Sequence, residues 1–260
     1  MKLTVFASGS TGNCCLVQGG GRRLLVDAGI SARRITAALA GQGLTPDQLD
    51  GILITHEHSD HIQGLANLLK KTPVTVFAPG TVAVSLRLLV PGVEPYLRVI
   101  EPERDLILGH LSVIPFPTSH DTAQSVGYRL SADDGRSVVI ATDTGCVTDA
   151  MLRYMSGADI ALIEANHDVT MLKKGPYPPA LKRRILSDRG HLSNEECLWL
   201  ASVLARRGTA RIILGHISRK NNLPGLALGT VRRGVQGTDA VLDVAPELGC
   251  LEVEVASCSA

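Results

Sequence analysis

The segment from Ile52 to His61 joins a strand-like apolar run to an unusually dense group of metal-ligand side chains. Residues 52–55 read Ile-Leu-Ile-Thr, which is typical of a short buried strand. The residues that follow are His56, Glu57, His58, Ser59, Asp60 and His61. Because loops at strand ends display side chains from a rigid scaffold, the segment predicts a metal-binding loop at the edge of a sheet.

The spacing of these side chains sorts them into two groups. Side chains alternate along an extended backbone, so His56 and His58 project the same way and can grip one ion, whereas Glu57 points away. Asp60 and His61 come where the chain turns and can face a second ion. Imidazole nitrogen with carboxylate oxygen suits zinc, manganese or iron. The alternative, a solvated loop that is His-rich by chance, fits poorly with four ligand-type residues at this spacing.

Short apolar strands alternate with helices through most of the chain, and no linker rich in Pro, Gly or Ser divides it. The predicted strands are Leu3–Ala7, Cys14–Val17, Arg23–Asp27, Gly51–Thr55, Val74–Ala78, Leu111–Pro115, Val126–Leu130, Ser137–Ala141, Ile160–Glu164, Arg211–Gly215, Ala240–Val244 and Leu251–Ala256. Hairpin-like neighbours are mixed with strand–helix units, which favours an α/β fold of sheets covered by helices over a Rossmann order. We expect one domain over residues 1–260.

Five helices are predicted between these strands. They are Ala32–Ala40, Gly64–Lys70, Thr81–Leu89, Thr148–Met155 and Ser193–Arg207. The last is the best marked, because Ser193 and Glu196 can form a capping box and Gly208 follows the final turn.

The cysteines and the apolar runs indicate the compartment. The six cysteines are Cys14, Cys15, Cys146, Cys197, Cys250 and Cys258. They form no C-x-x-C pair and are expected as buried small side chains under reducing conditions. No run of 18 apolar residues is present, and the first residues are too short an apolar run for a signal peptide. The sequence therefore predicts a cytoplasmic protein that contacts no membrane; it specifies no oligomeric state.

The His-x-His-x-Asp-His segment resembles the signature loop of the metallo-β-lactamase-fold hydrolases. The resemblance extends over residues 3 to about 220 and implies a four-layer αββα sandwich. It implies that Asp27, which closes a strand, supports the ligand loop without binding metal. It also implies that His56, His58 and His120 hold one divalent ion, that Asp60, His61 and His216 hold a second, and that Asp143 bridges the two.

Three further segments are similar to the YycJ/WalJ-type branch of this family, whose members are regarded as DNA exonucleases. Residues 8–13 read Ser-Gly-Ser-Thr-Gly-Asn, with Thr11 where that branch has Ser. Residues 164–168 read Glu-Ala-Asn-His-Asp, and residues 190–194 read Gly-His-Leu-Ser-Asn. Together with the metal ligands, these segments imply a phosphodiesterase that attacks DNA with hydroxide activated by two zinc, manganese or iron ions.

Two alternatives remain open for the roles of several polar residues. Asp60 or Asp143 is expected to orient the hydroxide. His167 or His191 can protonate the leaving oxygen or hydrogen-bond the phosphate, but a supporting or capping role explains them equally well. Asn13 is expected to line the site, although ordinary turn chemistry also accounts for it.

The positive charge is concentrated in one part of the chain. Residues 171–220 contain 11 Lys or Arg and 3 acidic residues, although the whole chain has a net charge of only +1. We expect Lys182, Arg183 and Arg184 to contact a phosphate backbone; a solvated helix face is the alternative. Tyr177 is the only aromatic residue close to these charges, so stacking on single-stranded DNA is not predicted.

Two other functions remain compatible with the sequence. One is a small-molecule hydrolase of the same fold, acting on a thioester, a lactone or a cyclic phosphodiester in a narrow, uncharged pocket. The other is a non-catalytic metal-binding scaffold, which the full set of expected ligands disfavours.

Overall fold

Two seven-stranded sheets form the centre of the protein. A computed structural model describes residues 1–255, so Cys258 and the last residue of the predicted strand Leu251–Ala256 lie outside the described residues. The strands are β1 Lys2–Ala7, β2 Cys14–Gly19, β3 Arg22–Val26, β4 Gly51–Leu53, β5 Val76–Pro79, β6 Leu97–Ile100, β7 Leu106–Leu108, β8 Leu111–Pro117, β9 Val126–Ala132, β10 Ser137–Ala141, β11 Ile160–Glu164, β12 Arg211–Gly215, β13 Val241–Val244 and β14 Leu251–Glu254.

Each sheet is built mainly from one half of the chain. The first sheet has the order β14-β1-β2-β3-β4-β5-β6, and the second has the order β13-β12-β11-β10-β9-β8-β7. The last strand of the described chain therefore pairs with the first, through the antiparallel register of Leu3 with Val253. In each sheet the central strands run parallel: β3 with β4, and β10 with β11 and β12.

Helices cover the outer face of each sheet. They are α1 Ala32–Ala40, α2 Ser59–Ile62, α3 Leu65–Leu69, α4 Gly80–Leu89, α5 Asp149–Met155, α6 Val169–Lys174, α7 Pro179–Ile185, α8 Asn194–Arg206 and α9 Pro224–Arg232. None of the helices within residues 1–255 combines the length and apolar character needed to cross a bilayer.

Three apolar clusters define the layers. The first joins the outer face of the first sheet to α1, α3 and α4, through side chains such as Ile35 and Leu86. The second lies between the sheets, where Leu24 of one and Leu130 of the other are both fully buried. The third joins the second sheet to α5, α8 and α9. The predicted αββα sandwich is confirmed, and burial of these faces is the main force that holds the layers together.

Most predicted elements are present within one or two residues, and the differences occur at edges and ends. The predicted helix Ser193–Arg207 is α8, and both hydrogen bonds of its capping box are present. Six elements were not predicted: β6, β7, α2, α6, α7 and α9. The division into one domain remains a prediction.

The parallel strands bring their carboxyl ends to one edge of the two sheets. β3, β4, β10, β11 and β12 all end there, and the polar segments that follow them meet at the same place. Ligand sites of sheet proteins commonly lie at such carboxyl edges.

Candidate metal centre

The loop after β4 carries four of the predicted ligands. His56 and His61 are fully buried, and His58 directly precedes the short helix α2, which places Asp60 in its first turn. The turn that separates the two ligand pairs is therefore helical, and it directs Asp60 and His61 away from the extended pair.

Three imidazoles from two loops form the first group. Nε2 of His56 lies 3.0 Å from Nδ1 of His58. His120, which follows β8, contributes the third ring, whose centroid lies 5.1 Å from each of the other two. One nitrogen of each ring lies within 4.8 Å of the others, a separation that a single ion can bridge.

Asp60, His61 and His216 form the second group, again with one ligand atom each within 4.8 Å of the others. Oδ2 of Asp60 lies 3.6 Å from Nε2 of His61 and 3.9 Å from Nε2 of His216. The rings of His61 and His216 come from opposite sheets, so this group spans the interface between them.

Asp143 lies between the two groups. Its Oδ2 is 3.3 Å from Nε2 of His61, and its Oδ1 is 3.4 Å from Nε2 of His216 and 3.9 Å from Nε2 of His120. The structure thus brings all seven predicted ligands close together, and Asp143 also forms candidate groups with His56 and His61 and with Glu164, His191 and His216.

Two buried atoms at the centre of this cluster lack hydrogen bonds. Within the described residues, Oδ2 of Asp143 and Nε2 of His216 have no hydrogen-bond partner. A buried polar atom without a partner costs free energy, so native proteins satisfy nearly all of them. A set of nitrogen and carboxylate donors aimed at a shared centre, with atoms left unpaired, fits divalent cations.

Backbone strain is concentrated at three of the polar residues. Asp27, Asp143 and His216 have φ values of 62°, 57° and 53°, in the left-handed region that side chains other than glycine rarely adopt. Each follows the end of a central strand. Such strain costs about 1–3 kcal/mol per residue and persists where the surroundings impose it, most often at functional sites.

Asp27 holds His61 in place, as the resemblance implies. Its Oδ2 lies 2.8 Å from Nδ1 of His61, and its Oδ1 accepts a hydrogen bond from the backbone N–H of Thr55 at 2.9 Å. The Thr55 hydroxyl lies 3.0 Å from Nδ1 of His56. These contacts fix the Nδ1 sides of two rings and leave both Nε2 atoms for a cation.

Glu164 plays the corresponding part for the second sheet, and sequence reasoning assigned it no role. Its Oε1 lies 2.8 Å from Nδ1 of His216 and 2.7 Å from Nδ1 of His191. Its Oε2 accepts the backbone N–H of Thr144 at 2.9 Å. The sequence feature that could have indicated this role is the position of Glu164, an acidic residue at the end of an apolar strand.

Asn13 and Gly29 clamp the signature loop from below. The backbone N–H of Asn13 donates to the carbonyl of Asp60 at 2.7 Å, and the Asn13 amide Nδ2 lies 3.0 Å from Nε2 of His61. A Cβ at Gly29 would lie 1.6 Å from the same Asp60 oxygen, so this approach requires glycine. Asn13 therefore contacts the cluster directly.

The pKa values of the histidines are shifted in opposite directions in the two groups. Burial lowers the pKa of His56 well below its usual range, and it also lowers the pKa of His120, which leaves these rings neutral and ready to bind metal. Burial alone would lower the pKa of His216, but Asp143, Asp60 and Glu164 outweigh it and hold that pKa well above the usual range. In the absence of metal, these carboxylates therefore favour the protonated form of His216.

The Asp143 carboxylate is kept ionised by the same neighbours. Burial alone would raise its pKa, but the charges of His216 and His61 outweigh burial and hold the pKa of Asp143 well below its usual range. The central carboxylate is therefore available as an anionic ligand at any pH near neutrality.

A second acidic residue that sequence reasoning did not use lies beside the first group. Oδ1 of Asp121 is 3.2 Å from Nε2 of His120, and its Oδ2 accepts a hydrogen bond from Nε of Arg184. Arg189 donates to the carbonyls of His120 and Thr122 at 3.0 and 2.7 Å. Arg184, which the sequence predicts as a phosphate contact, and Arg189 thus both contact the loop that carries His120.

The remaining predicted residues lie at different distances from the cluster. A cavity of about 170 Å³ adjoins the metal ligands, and His191 and Arg184 line it, whereas His167, Lys182 and Arg183 do not. His167 is 1% exposed, and neither of its ring nitrogens has a hydrogen-bond partner within residues 1–255. Burial lowers the pKa of His167 and thereby favours its neutral form. A role for His167 in proton donation remains a prediction.

Comparisons with known proteins place the chain in a family. A family model described as "Beta-lactamase superfamily domain" matches residues 22–217. The chain is 40% identical over 229 residues to "Exodeoxyribonuclease WalJ" of Streptococcus pneumoniae, covering 87% of this chain and 85% of that protein. It is 38% identical over 228 residues to "Exodeoxyribonuclease YycJ" of Bacillus anthracis, covering 87% and 86%. The crystal structure of Zn(2+)-bound PqqB from Methylobacterium extorquens matches with a TM-score of 0.77 at 18% identity, covering 98% of this chain and 100% of that chain.

Proposed function

The chain belongs to the beta-lactamase superfamily, as its motifs predicted, and we propose that it is a metal-dependent exodeoxyribonuclease with two divalent ions. The observation that carries the proposal is the position of Asp143, whose carboxylate oxygens lie 3.3–3.9 Å from ligand nitrogens of both groups. The two exodeoxyribonucleases that are 38–40% identical to the chain support the choice of DNA as substrate.

Each ion has its own ligand group in this proposal. His56, His58 and His120 hold one, Asp60, His61 and His216 hold the other, and Asp143 is shared. Zinc, manganese and iron all accept these donors. When bound, the ions supply Lewis acidity, which lowers the pKa of a water molecule and neutralises charge on the phosphate.

The chain's own residues position the reacting groups. Asp60 or Asp143 orients the attacking water by accepting a hydrogen bond from it. As the water oxygen bonds to phosphorus, the bond from phosphorus to the leaving oxygen breaks, and that oxygen takes up a proton. His191 is placed to supply the proton, because Glu164 holds its Nδ1 and the ring lines the cavity.

Charge at the cavity favours a nucleic acid over the small molecules of the alternative hydrolase, for which an uncharged pocket is expected. Arg184 lines the cavity, and Lys182 and Arg183 precede it on the same helix, α7. A helix with three adjacent basic residues beside a dinuclear centre suits a phosphate backbone. A cytoplasmic location, where DNA is available, is part of the same proposal.

Digestion of end-labelled DNA tests the proposal. The purified protein is incubated with EDTA, then with Mn²⁺ or Zn²⁺, and product lengths are followed with time. We expect stepwise release of nucleotides with metal and none with EDTA. Inactivity with every ion, on both DNA and bis-p-nitrophenyl phosphate, would refute a phosphodiesterase.

Two substitutions connect the activity to the cluster. We expect Asp60→Ala and His61→Ala each to abolish turnover while the circular dichroism spectrum is retained, because each removes a ligand of the dinuclear centre. The matched control is His110→Ala, since the His110 side chain is 77% exposed and pairs with Asp133. Wild-type turnover in both cluster variants would contradict the metal assignment.

A further inference from the structure

The cavity beside the metal ligands has walls of different chemistry. Three histidines are among its lining residues: His120, His191 and His216. The lining also includes the hydrogen-bonding side chains of Ser10, Asn166 and Ser218. A ligand that fills the cavity therefore meets both cation-binding and hydrogen-bonding groups.

One wall of the cavity is largely apolar and comes from α7 and the residues before it. Leu181 and Ile185 are four residues apart on α7, so they lie on the same face of the helix and both line the cavity. Tyr177 precedes this helix by two residues and continues the wall. Arg184 is the charged member of the wall, and its Nε donates to Asp121 beside the first ligand group.

Tyr177 is the only Phe, Tyr or Trp among the residues that line this cavity in the described chain. Its ring is half-buried, and the ammonium group of Lys220 lies over it, 5.8 Å from the ring centroid. Sequence reasoning left Tyr177 isolated among charges, whereas the fold places it next to the metal centre. An aromatic ring at that place is suited to stack on a nucleobase of any sequence.

The size of the cavity limits what can enter. Its volume of about 170 Å³ is below the roughly 300–1,000 Å³ of pockets that enclose a drug-sized ligand. One unpaired base fits such a space together with a phosphate beside the histidines that line it, whereas an intact base pair is larger. The entering group is thus a single terminal nucleotide.

We propose that Tyr177 is the platform on which the terminal base of the substrate stacks while its phosphate lies between Arg184 and the metal ligands. Leu181 and Ile185 complete the apolar wall beside the base. This inference rests on the proposed exonuclease function and specifies which part of the DNA the site takes. It makes Tyr177 a determinant of substrate choice that has no part in bond cleavage.

A base-deletion experiment tests the platform. Single-stranded oligonucleotides carry at one end either a normal nucleotide or an abasic tetrahydrofuran analogue, and kcat/KM is measured for release of that terminal unit, with each end tested in turn. For the wild-type protein with bound metal, we expect the base-bearing end to be preferred by about 5- to 100-fold, the range expected for one stacked base. In Tyr177→Leu the preference should fall towards one.

Two further variants separate stacking from general damage. Tyr177→Phe keeps the ring and should keep the preference. Trp199→Leu removes an aromatic side chain that is 49% exposed on α8, away from the cavity lining, and should also keep it. A wild-type ratio near one, or an unchanged ratio in Tyr177→Leu, would overturn the platform. Failure of the wild type to release either terminal unit would instead refute the exonuclease function itself.

Discussion

The carboxylate of Glu164 and the ring of His216 meet at 2.8 Å, with Oε1 of the glutamate facing Nδ1 of the histidine. The contact fixes the ring so that Nε2 faces Asp143, 3.4 Å from its Oδ1. Because β11 and β12 run parallel and adjacent, the pair forms at the carboxyl ends of neighbouring strands. A metal ligand is thus oriented by a residue that does not itself have to bind metal.

Glu164→Gln should weaken metal binding. The substitution keeps the shape of the side chain but removes the charge that orients His216 and His191, and loss of such a supporting contact typically costs 10- to 100-fold in affinity. Competition with a chelator measures the change. The control is Glu94→Gln, which alters an exposed ion pair with Arg87. Equal affinities in the wild type and Glu164→Gln would show that Glu164 does not support the site.

The metal-free protein should lose stability in acid through Glu164. Burial would raise its pKa, but the charges and hydrogen bonds of His191 and His216 outweigh burial and lower the pKa from 4.5 to about 2. A group whose pKa is depressed by folding stabilises the fold above its unfolded pKa, and that contribution is lost as pH falls from about 4.5 to about 2.

Urea unfolding of metal-free protein at several pH values measures this loss. Between pH 6 and pH 2 the wild type should lose about 3 kcal/mol more than Glu164→Gln. Parallel pH profiles for the two proteins would contradict the assignment of the shift to Glu164.

Gly29→Ala should disturb the signature loop. The added Cβ would lie 1.6 Å from the carbonyl oxygen of Asp60 and 2.6 Å from the backbone nitrogen of Asn13. We expect a loss of about 3 kcal/mol in the free energy of unfolding together with weaker metal binding, measured by urea unfolding and chelator competition. Gly225→Ala is the matched control, because a Cβ there meets nothing within 4 Å. Equal effects of the two substitutions would show that close packing at Gly29 does not hold the loop in place.

Neutralising Lys182, Arg183 and Arg184 together should weaken binding to DNA and reduce its dependence on salt. Each phosphate contact on a single strand contributes a slope of about 0.7 in log K against log salt, so we expect a loss of about 2 if all three make contact. Fluorescence anisotropy with labelled DNA at about 50 to 200 mM salt measures the slope. Neutralising Arg33, Arg34 and Lys70, which do not line the cavity, should leave the slope unchanged. An unaltered slope in the α7 variant would exclude a cationic DNA contact there.

The sequence predicts the central strands well because both of their faces are buried. β6 and β7 are edge strands, and their outward side chains, including Val99 at 55% and Ile107 at 62% exposed, break the pattern of a buried run. α7 and α9 begin at Pro179 and Pro224, in segments that read as turns until the rest of the helix is packed.

The residues of the site likewise divide into those that are close in sequence and those that only the fold brings together. The four ligands from His56 to His61 lie in one loop, so spacing alone predicts them. Glu164 is 27 residues from His191 and 52 from His216, and its role depends on which strands lie next to each other. Asp121 likewise acquires a partner, Arg184, only when α7 packs beside the loop after β8.

Anomalous diffraction from crystals grown with Mn²⁺ or Zn²⁺ would locate the bound ions themselves. We expect two peaks per chain, about 3.5–4 Å apart, one bounded by His56, His58 and His120 and the other by Asp60, His61 and His216, with Asp143 next to both. The absence of any peak after metal soaking, or peaks that none of these side chains contacts, would contradict this expectation.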